Sequence, residues 1–83
     1  MRVGLLVEEK IRVCGSGKHP EVIILHGEQL RVTGVLDIWK DVGCWWLGEK
    51  EKTFYRLTVE RGGILEIYRS SGDTSWILYR VYD

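Results

Sequence analysis

The sequence predicts an all-β fold: a small antiparallel barrel or strongly twisted sheet of five to six strands, with at most one short helical turn. β-Branched and aromatic residues occur in short runs, and most of the ten glycines stand between those runs. Only one segment has a helix-like spacing of apolar residues. Because a flat sheet of this size would leave one face and two edges bare, we expect it to curl into an SH3-like or similar small barrel.

The strands follow from these runs in chain order. We expect one long, bent strand over residues 2–13, and shorter strands over 21–26, 29–33, 53–60, 64–69 and 75–82. Gly27 and Glu28 lie between the second and third runs and predict a two-residue type II′ turn, since its first central residue needs a positive φ. The last three strands should form an antiparallel meander.

Residues 35–42 are the ambiguous segment. Its apolar residues are spaced near the helical period: Val35, Leu36, Trp39 and Val42. Eight residues make a marginal helix on their own, although Gly34 and Gly43 could bound a short helical turn. We expect the strand that begins at Leu30 to continue here, and the helical turn stays open as the alternative.

Length and composition indicate one domain, residues 1–83, with a mass of 9.7 kDa and 45% hydrophobic residues. Twelve basic and twelve acidic residues give a net charge of zero. This balance excludes a disordered chain and a nucleic-acid binder driven by overall charge. The apolar run at the amino terminus is too short for a signal peptide or a membrane span. We therefore expect a cytoplasmic protein without membrane contacts.

The cysteines and histidines suggest neither a metal site nor a catalytic site. Two cysteines are too few for a disulfide framework, and we interpret Cys14 and Cys44 as reduced thiols that act as small hydrophobic residues. Together with His19 and His26 they lack the close ligand pairs of structural zinc sites. Only the two histidines could serve as a general base, and both are expected on the surface. The sequence thus predicts no enzyme, no metal and no cofactor.

Aromatic rings and arginines in the second half supply the candidate binding residues. These are Trp45, Trp46, Arg56, Tyr68, Arg69, Trp76, Arg80 and Tyr82. Alternation in the last strand predicts a core face of Ile77, Tyr79 and Val81. The opposite face would carry Trp76, Leu78, Arg80 and Tyr82, where arginine could stack on a ring or a base. The alternative is that the rings fill the core and arginine stems cover them.

Four motifs together resemble a known family. They are Asp41-Val42-Gly43-Cys44-Trp45-Trp46, Lys52-Thr53-Phe54-Tyr55-Arg56-Leu57, Leu65-Glu66-Ile67-Tyr68-Arg69 and Trp76-Ile77-Leu78-Tyr79-Arg80-Val81-Tyr82-Asp83. Their order is similar to the small carboxy-terminal domain of the inactive Y-family polymerase homologues of the bacterial mutasome, and to free-standing bacterial proteins of unknown function. Cys44 and Phe54-Tyr55 depart from the family pattern, which usually has a charged or small residue and paired tyrosines at these places.

The resemblance implies a binding module that acts beside DNA-damage tolerance. It implies no polymerase activity, because the palm, finger and thumb domains are not in this sequence. We expect a non-catalytic module that contacts either a replication or repair protein or single-stranded nucleic acid through Trp46, Arg56, Arg69 and Arg80. Zero net charge favours the protein partner. The alternative is a structural domain that forms homo-oligomers through a strand edge or an aromatic patch.

Overall fold

A computed structural model describes residues 5–15, 19–43, 45–48 and 50–82, with the backbone alone described at residues 5–7 and 45. The elements are β1 (Leu5–Cys14), β2 (Val22–Leu25), β3 (Glu28–Asp41), a 3-10 helix (Trp45–Leu47), β4 (Lys52–Val59), β5 (Ile64–Ser70) and β6 (Trp76–Tyr82). Each predicted strand is present, although residues 2–4 of the first lie outside the described residues, and the short helical turn falls after β3. The predicted small antiparallel barrel is confirmed.

The six strands form a closed barrel in which each strand pairs with its neighbours in sequence and β6 pairs with β1. All the pairings are antiparallel. β1 pairs with β6 up to Ile11 and then with β2 from Arg12. β3 likewise pairs with β2 up to Arg31 and with β4 from Val32. The two longest strands therefore bend from one side of the barrel to the other, which allows four-residue β2 to complete the closure.

The division of β3 leaves part of one strand edge open. Over residues 33–41 β3 pairs with β4 on one edge, and no described residue forms a ladder with the other edge. The pairing on the β2 side ends at Val32, whose N–H donates to the Glu21 carbonyl at 2.8 Å. An unpaired edge offers backbone donors and acceptors to another chain.

Alternating residues from β1, β2, β4, β5 and β6 fill the barrel interior. Strand β3 contributes partly buried side chains that pack against this core. The buried core consists of Ile11, Ile23, Tyr55, Leu57, Val59, Leu65, Ile67 and Leu78. Ile23, Leu57 and Ile67 have no measurable exposure. Burying each such side chain contributes about 1.5–3 kcal/mol, so the middle rows of the barrel supply most of the hydrophobic stabilisation.

A β-bulge in β6 changes which residues face inward. The β5–β6 register shifts between Glu66 and Ile67, and Tyr79 is the extra residue on β6. Such a bulge breaks the two-residue alternation of side chains. Leu78 before the bulge is buried, and Val81 after it also packs against the core.

The predicted faces of the last strand are therefore partly wrong. Val81 is on the core side as expected, whereas Tyr79 packs outside against Phe54 and Tyr68. Leu78 and Trp76 were predicted on the face opposite the core, but Leu78 is buried in the core and Trp76 packs against it. Ile77 pairs with Tyr68 and shares its outer face. Simple alternation failed because it assumes an uninterrupted strand.

The turn between β2 and β3 also differs from the prediction. β2 ends at Leu25, which pairs with Glu28, so the two central residues are His26 and Gly27. Both have positive φ, 52° and 77°, which is the type I′ pattern rather than type II′. Histidine tolerates the left-handed region better than most residues, and the His26 ring is hydrogen-bonded to Glu9 at 2.8 Å.

The prediction that residues 35–42 continue the strand is confirmed as far as Asp41. Two register shifts, between Val32 and Gly34 and between Val35 and Asp37, insert Thr33 and Leu36 as extra residues. These bulges interrupt the two-residue alternation of β3. Val35 packs against the core whereas Leu36 and Val42 are exposed, so the helix-like spacing does not correspond to one buried face.

Candidate interaction surfaces

Four aromatic rings form a cluster on the outside of the barrel, which we call the outer aromatic cluster: Trp39, Phe54, Tyr68 and Tyr79. Trp39 and Phe54 are stacked with centroids 5.3 Å apart, and Phe54 lies 5.1 Å from both Tyr68 and Tyr79. Cross-strand pairing places three of these rings side by side on β3, β4 and β5. The surrounding rings leave Phe54 only 6% exposed, so this cluster is a second core outside the barrel.

A row of alternating charges lies beside the cluster. Asp37, Arg56, Glu66 and Arg80 are paired in turn across β3, β4, β5 and β6. Arg56 Nε donates to Glu66 Oε2 at 2.8 Å, and the Glu66 side chain is only 3% exposed. The Arg56 guanidinium carbon also lies 5.5 Å from the Trp39 ring centroid. Arg56 therefore neutralises the one buried charged residue of the described chain.

The pKa of Arg56 is raised, and the main cause is the hydrogen bond to Glu66. Desolvation lowers this pKa, whereas the charges of Glu66, Tyr82 and Asp37 raise it further. A raised pKa means that the folded state holds this proton more tightly than the unfolded chain does. The resulting stability is fully present below the ordinary arginine pKa and is lost only at a higher pH. Arg56 is thus a permanent cation in physiological conditions.

The other cations on this face lie over aromatic rings. The Arg80 guanidinium carbon is 5.3 Å from the Tyr79 centroid, and Lys52 Nζ is 5.0 Å from the Tyr68 centroid. A hydrogen bond with Tyr82 is the first cause that raises the pKa of Arg80. The Arg80 Nε atom is buried and has no hydrogen-bond partner among the described residues. Contacts within the chain thus already engage these cations.

A different arrangement occurs at the barrel end where β1, β3 and β5 finish. A cavity of about 250 Å³ opens there, which we call the Arg69 cavity; its lining residues are Val13, Gly15, His19, Pro20, Tyr55, Arg69 and Trp76. The Arg69 guanidinium carbon lies 4.8 Å from the Trp76 centroid. Trp76 in turn packs on Tyr55, with ring centroids 5.3 Å apart, so Tyr55 supports the ring that Arg69 contacts.

The Arg69 cavity has an excess of positive charge. Among the described residues Arg69 has no ion pair, whereas Arg56 is paired with Glu66 and Arg61 with Glu28. None of the residues described as lining the cavity is a carboxylate or a cysteine. The described lining residues can therefore attract an anion, and they do not combine His19 with a cysteine or a carboxylate.

The open edge of β3 borders a second cavity at the same end of the barrel. This β3 edge groove, of about 370 Å³, is lined by His19, Pro20, Glu21, Val32, Thr33, Gly34, Val35 and Ile38. It shares His19 and Pro20 with the Arg69 cavity. The Ile38 N–H donates to the Asp37 Oδ1 atom at 3.0 Å and not to a neighbouring strand.

Exposed large hydrophobic residues are concentrated in one stretch of the described chain, and one of them, Ile38, lines this groove. Those of the described chain are 42–71% exposed: Leu36, Ile38, Val42, Trp46 and Leu47. All five fall within residues 36–47, on the second half of β3 and the 3-10 helix that follows it. We call residues 36–47 the exposed apolar segment.

The structure divides the sequence-predicted binding residues among three places. On the outer face of β4, β5 and β6 lie Arg56, Tyr68, Arg80 and Tyr82. The Arg69 cavity contains Arg69 and Trp76, and Trp46 belongs to the exposed apolar segment. The side chain of Trp45 is outside the described part of the chain. The predicted set is therefore not one surface.

Several residues of these surfaces were not predicted. Trp39 and Tyr79 complete the outer aromatic cluster, and Tyr55 supports Trp76 in the cavity. Their contacts depend on cross-strand register, which the sequence alone does not provide. A signal did exist for Glu66, because a single carboxylate inside an apolar strand usually requires a buried partner.

The remaining chemistry-bearing residues form no metal centre within the described residues, where no group of three or more histidine, cysteine or acidic side chains could hold an ion. Cys14 is a free thiol and is exposed, not packed as a small hydrophobic residue; Cys44 lies outside the described residues. The part of the chain that the structure describes also has no helix with the length and apolarity to cross a membrane.

Comparison with protein families gives a match to the family described as "Domain of unknown function (DUF6504)", over residues 3–83. Neither the curated proteins nor the solved structures yield a match. The resemblance to mutasome polymerase homologues stays a prediction.

Proposed function

The chain belongs to the DUF6504 family, and from this premise we propose that it is a non-catalytic interaction module that binds another protein. The observation that carries the proposal is the exposed apolar segment, which contains all the large hydrophobic side chains that the described residues expose. The five side chains lie within twelve residues of the chain, and exposed apolar patches mark interaction sites in soluble proteins. Tryptophan, here Trp46, is among the residue types enriched at the energetic centres of interfaces.

The distribution of charge favours a protein over nucleic acid. A nucleic-acid surface needs basic groups that are free to meet phosphates. Arg56 is instead paired with Glu66, and Arg69 lies at the barrel end, away from the outer face that carries Arg80. Basic and acidic residues are also equal in number over the whole chain.

One observation favours single-stranded nucleic acid as a second candidate. Arg80 and Tyr82 stand beside the outer aromatic cluster, where a base could stack. A self-associating structural domain is the third candidate, since the unpaired edge of β3 could meet a second copy.

Our proposal includes a replication or repair protein of the bacterial cytoplasm as the partner. The support for this narrower statement is the resemblance of the four sequence motifs to the mutasome homologues. The support for protein binding itself is the exposed apolar segment, and the two statements can be tested separately.

Crosslinking in cells followed by quantitative mass spectrometry tests the proposal. Three chains are compared: wild type, Leu47→Ser in the exposed apolar segment, and the control Arg61→Ser, which changes an exposed residue at the opposite barrel end. We expect a set of proteins that wild type and the control retain and Leu47→Ser loses. Equal recovery with all three chains contradicts the proposal.

The competing functions are tested with purified protein. A titration with a 20-nucleotide oligo-dT, followed by tryptophan fluorescence at low and high salt, should give no salt-dependent response. Light scattering over a range of protein concentrations should show a monomer. A salt-sensitive response would favour nucleic acid, and concentration-dependent dimers would favour self-association.

A further inference from the structure

We propose that the Arg69 cavity and the β3 edge groove together bind one extended peptide segment of the protein partner, with a peptide carboxylate on Arg69 and an adjacent apolar side chain in the groove. This inference rests on the proposed function and identifies the chemical class of its ligand. It also assigns the site to the end of the barrel rather than to the outer aromatic cluster.

The first step of the argument is the charge of Arg69. Its guanidinium has no ion pair among the described residues and lines a cavity to which those residues contribute no carboxylate. Its guanidinium carbon lies 4.8 Å from the Trp76 ring centroid, and this cation–π contact restricts the motion of the group. A guanidinium group binds a carboxylate through two parallel hydrogen bonds, and an oriented one loses less entropy when it does so.

The second step is the size and polarity of the Arg69 cavity. Its volume of about 250 Å³ is at or below the lower end for small-molecule sites, about 300–1,000 Å³. A single acidic side chain or a peptide terminus fits this space better than a cofactor does. Tyr55, His19 and Trp76 are the other described lining residues with polar side-chain atoms, and each can donate to a carboxylate oxygen.

The third step is the continuity of the two cavities. His19 and Pro20 line both of them, and Ile38 in the groove pairs with Tyr55 in the cavity. A segment on the edge of β3 would therefore reach the cavity without leaving the surface. Pro20 is buried and forms the wall between the two spaces.

The fourth step is the backbone of β3. Addition of a peptide strand to a sheet edge supplies main-chain hydrogen bonds, while pockets select alternate side chains. The Ile38 N–H now donates to Asp37 Oδ1, and a peptide carbonyl would take the place of that carboxylate. Val32, Val35 and Ile38 provide the apolar lining for one side chain of the peptide.

The charges near the groove argue against the two other occupants. Glu21 lines the groove and Asp37 stands beside Ile38, so a nucleic-acid backbone would meet carboxylates along its length. A second copy would bring a second Asp37 to the same edge, and charged groups on an edge oppose symmetrical strand pairing. A peptide with a single carboxylate avoids both conflicts.

Titration by NMR tests the inference with a minimal probe, N-acetyl-leucine, which carries a carboxylate, an amide and an apolar side chain. N-acetyl-leucinamide is the neutral comparison. We expect N-acetyl-leucine to shift the signals of the Arg69 Nε–H, the Trp76 indole N–H and the Ile38 methyl groups. The neutral probe should bind at least about tenfold more weakly, since it lacks the charge-assisted hydrogen bonds.

Arg69→Gln should lower the affinity for N-acetyl-leucine about tenfold, to that of the neutral probe, whereas the control Arg61→Gln should leave it unchanged. Amidated hexapeptides with an internal aspartate, compared with free hexapeptides without one, distinguish a side-chain carboxylate from a peptide terminus. The comparison of the two leucine probes uses wild-type protein alone and stays decisive if the Arg69 variant fails to fold.

Equal binding of the charged and neutral probes would overturn the inference, as would the absence of shifts at Arg69 and Trp76. Inorganic phosphate or oligo-dT that bound there as tightly as N-acetyl-leucine would also overturn it, in favour of a phosphate site. Failure of the proposed function gives a different result, because Leu47→Ser would then retain every crosslinked protein. If Leu47→Ser loses partners and Arg69→Gln does not, only the peptide inference fails.

Discussion

The outer face of β3–β6 and the open end of the barrel use the same types of side chain in opposite ways. On the outer face, Arg56 is paired with a buried carboxylate, and the rings around Phe54 leave it almost inaccessible. At the barrel end, Arg69 rests on Trp76 without an ion pair among the described residues, and Leu47 is exposed. Aromatic and cationic composition therefore does not separate the two regions, whereas the contacts that these side chains make do.

The outer face is better understood as part of the folding core. Its rings pack at distances typical of stabilising aromatic pairs. At the barrel end, Leu47 and Arg69 are exposed, so substitution of either removes less buried surface. This contrast leads to four predictions, in order of the expected effect.

Phe54→Ala should lower the free energy of unfolding by about 3 kcal/mol, although Phe54 lies outside the barrel, because it leaves a cavity between three rings. Leu47→Ala, by contrast, should change the free energy of unfolding by less than about 0.5 kcal/mol. Urea unfolding measures both values. Similar losses for the two variants would contradict the distinction between the two regions.

Arg56→Met should lower the free energy of unfolding by about 2 kcal/mol, because the Glu66 carboxylate stays buried without its partner. This is below the value for a fully buried pair, since the Arg56 side chain is 40% exposed. In a double-mutant cycle, addition of Glu66→Leu to Arg56→Met should restore about 1 kcal/mol of the lost free energy of unfolding. Strictly additive losses would show that the two side chains do not stabilise each other.

Arg69→Gln should change the free energy of unfolding by only about 0.5 kcal/mol, the size of one exposed cation–π contact. The same measurement on Arg56→Gln, an identical substitution on the outer face, is the control and should show a larger loss. If both variants lose the same free energy, Arg69 is a structural residue and the comparison fails.

Asp37→Ala should leave the free energy of unfolding within about 0.5 kcal/mol of wild type, yet promote self-association. The variant frees the Ile38 N–H on the open edge of β3 and removes a charge that opposes edge pairing. Light scattering should detect dimers at concentrations where wild type is monomeric. A variant that stays monomeric would show that Asp37 does not protect this edge.

Residue type and spacing were enough to predict the strands and the barrel. β-Branched runs separated by glycines indicate strands without any knowledge of their partners, and the predicted residues 64–69 differ from β5 (Ile64–Ser70) by one residue. The type of the first hairpin turn could not be predicted in the same way. It depends on whether His26 accepts a positive φ, and a contact with the distant residue Glu9 accompanies that conformation.

The candidate surfaces could be predicted only in part, since they depend on long-range register. The bulge at Tyr79 moves that ring to the outer aromatic cluster, and nothing local in the sequence marks it. Arg56 and Arg69 look alike in sequence. They differ only because Glu66 lies opposite the first, whereas Thr53 lies opposite the second.

The extra residue at Tyr79 also governs how the length of related chains can vary. Trp76 and Leu78 precede it on the inward side, and Val81 follows on the same side after an interval of three residues instead of two. If a related chain lacked the residue at Tyr79, it would have no bulge there, and the same side chains would still face the barrel interior. An insertion or deletion of one residue between Trp76 and Leu78 would instead turn one of these side chains away from the core. We therefore expect family members to differ in length at Tyr79 and not between Trp76 and Leu78.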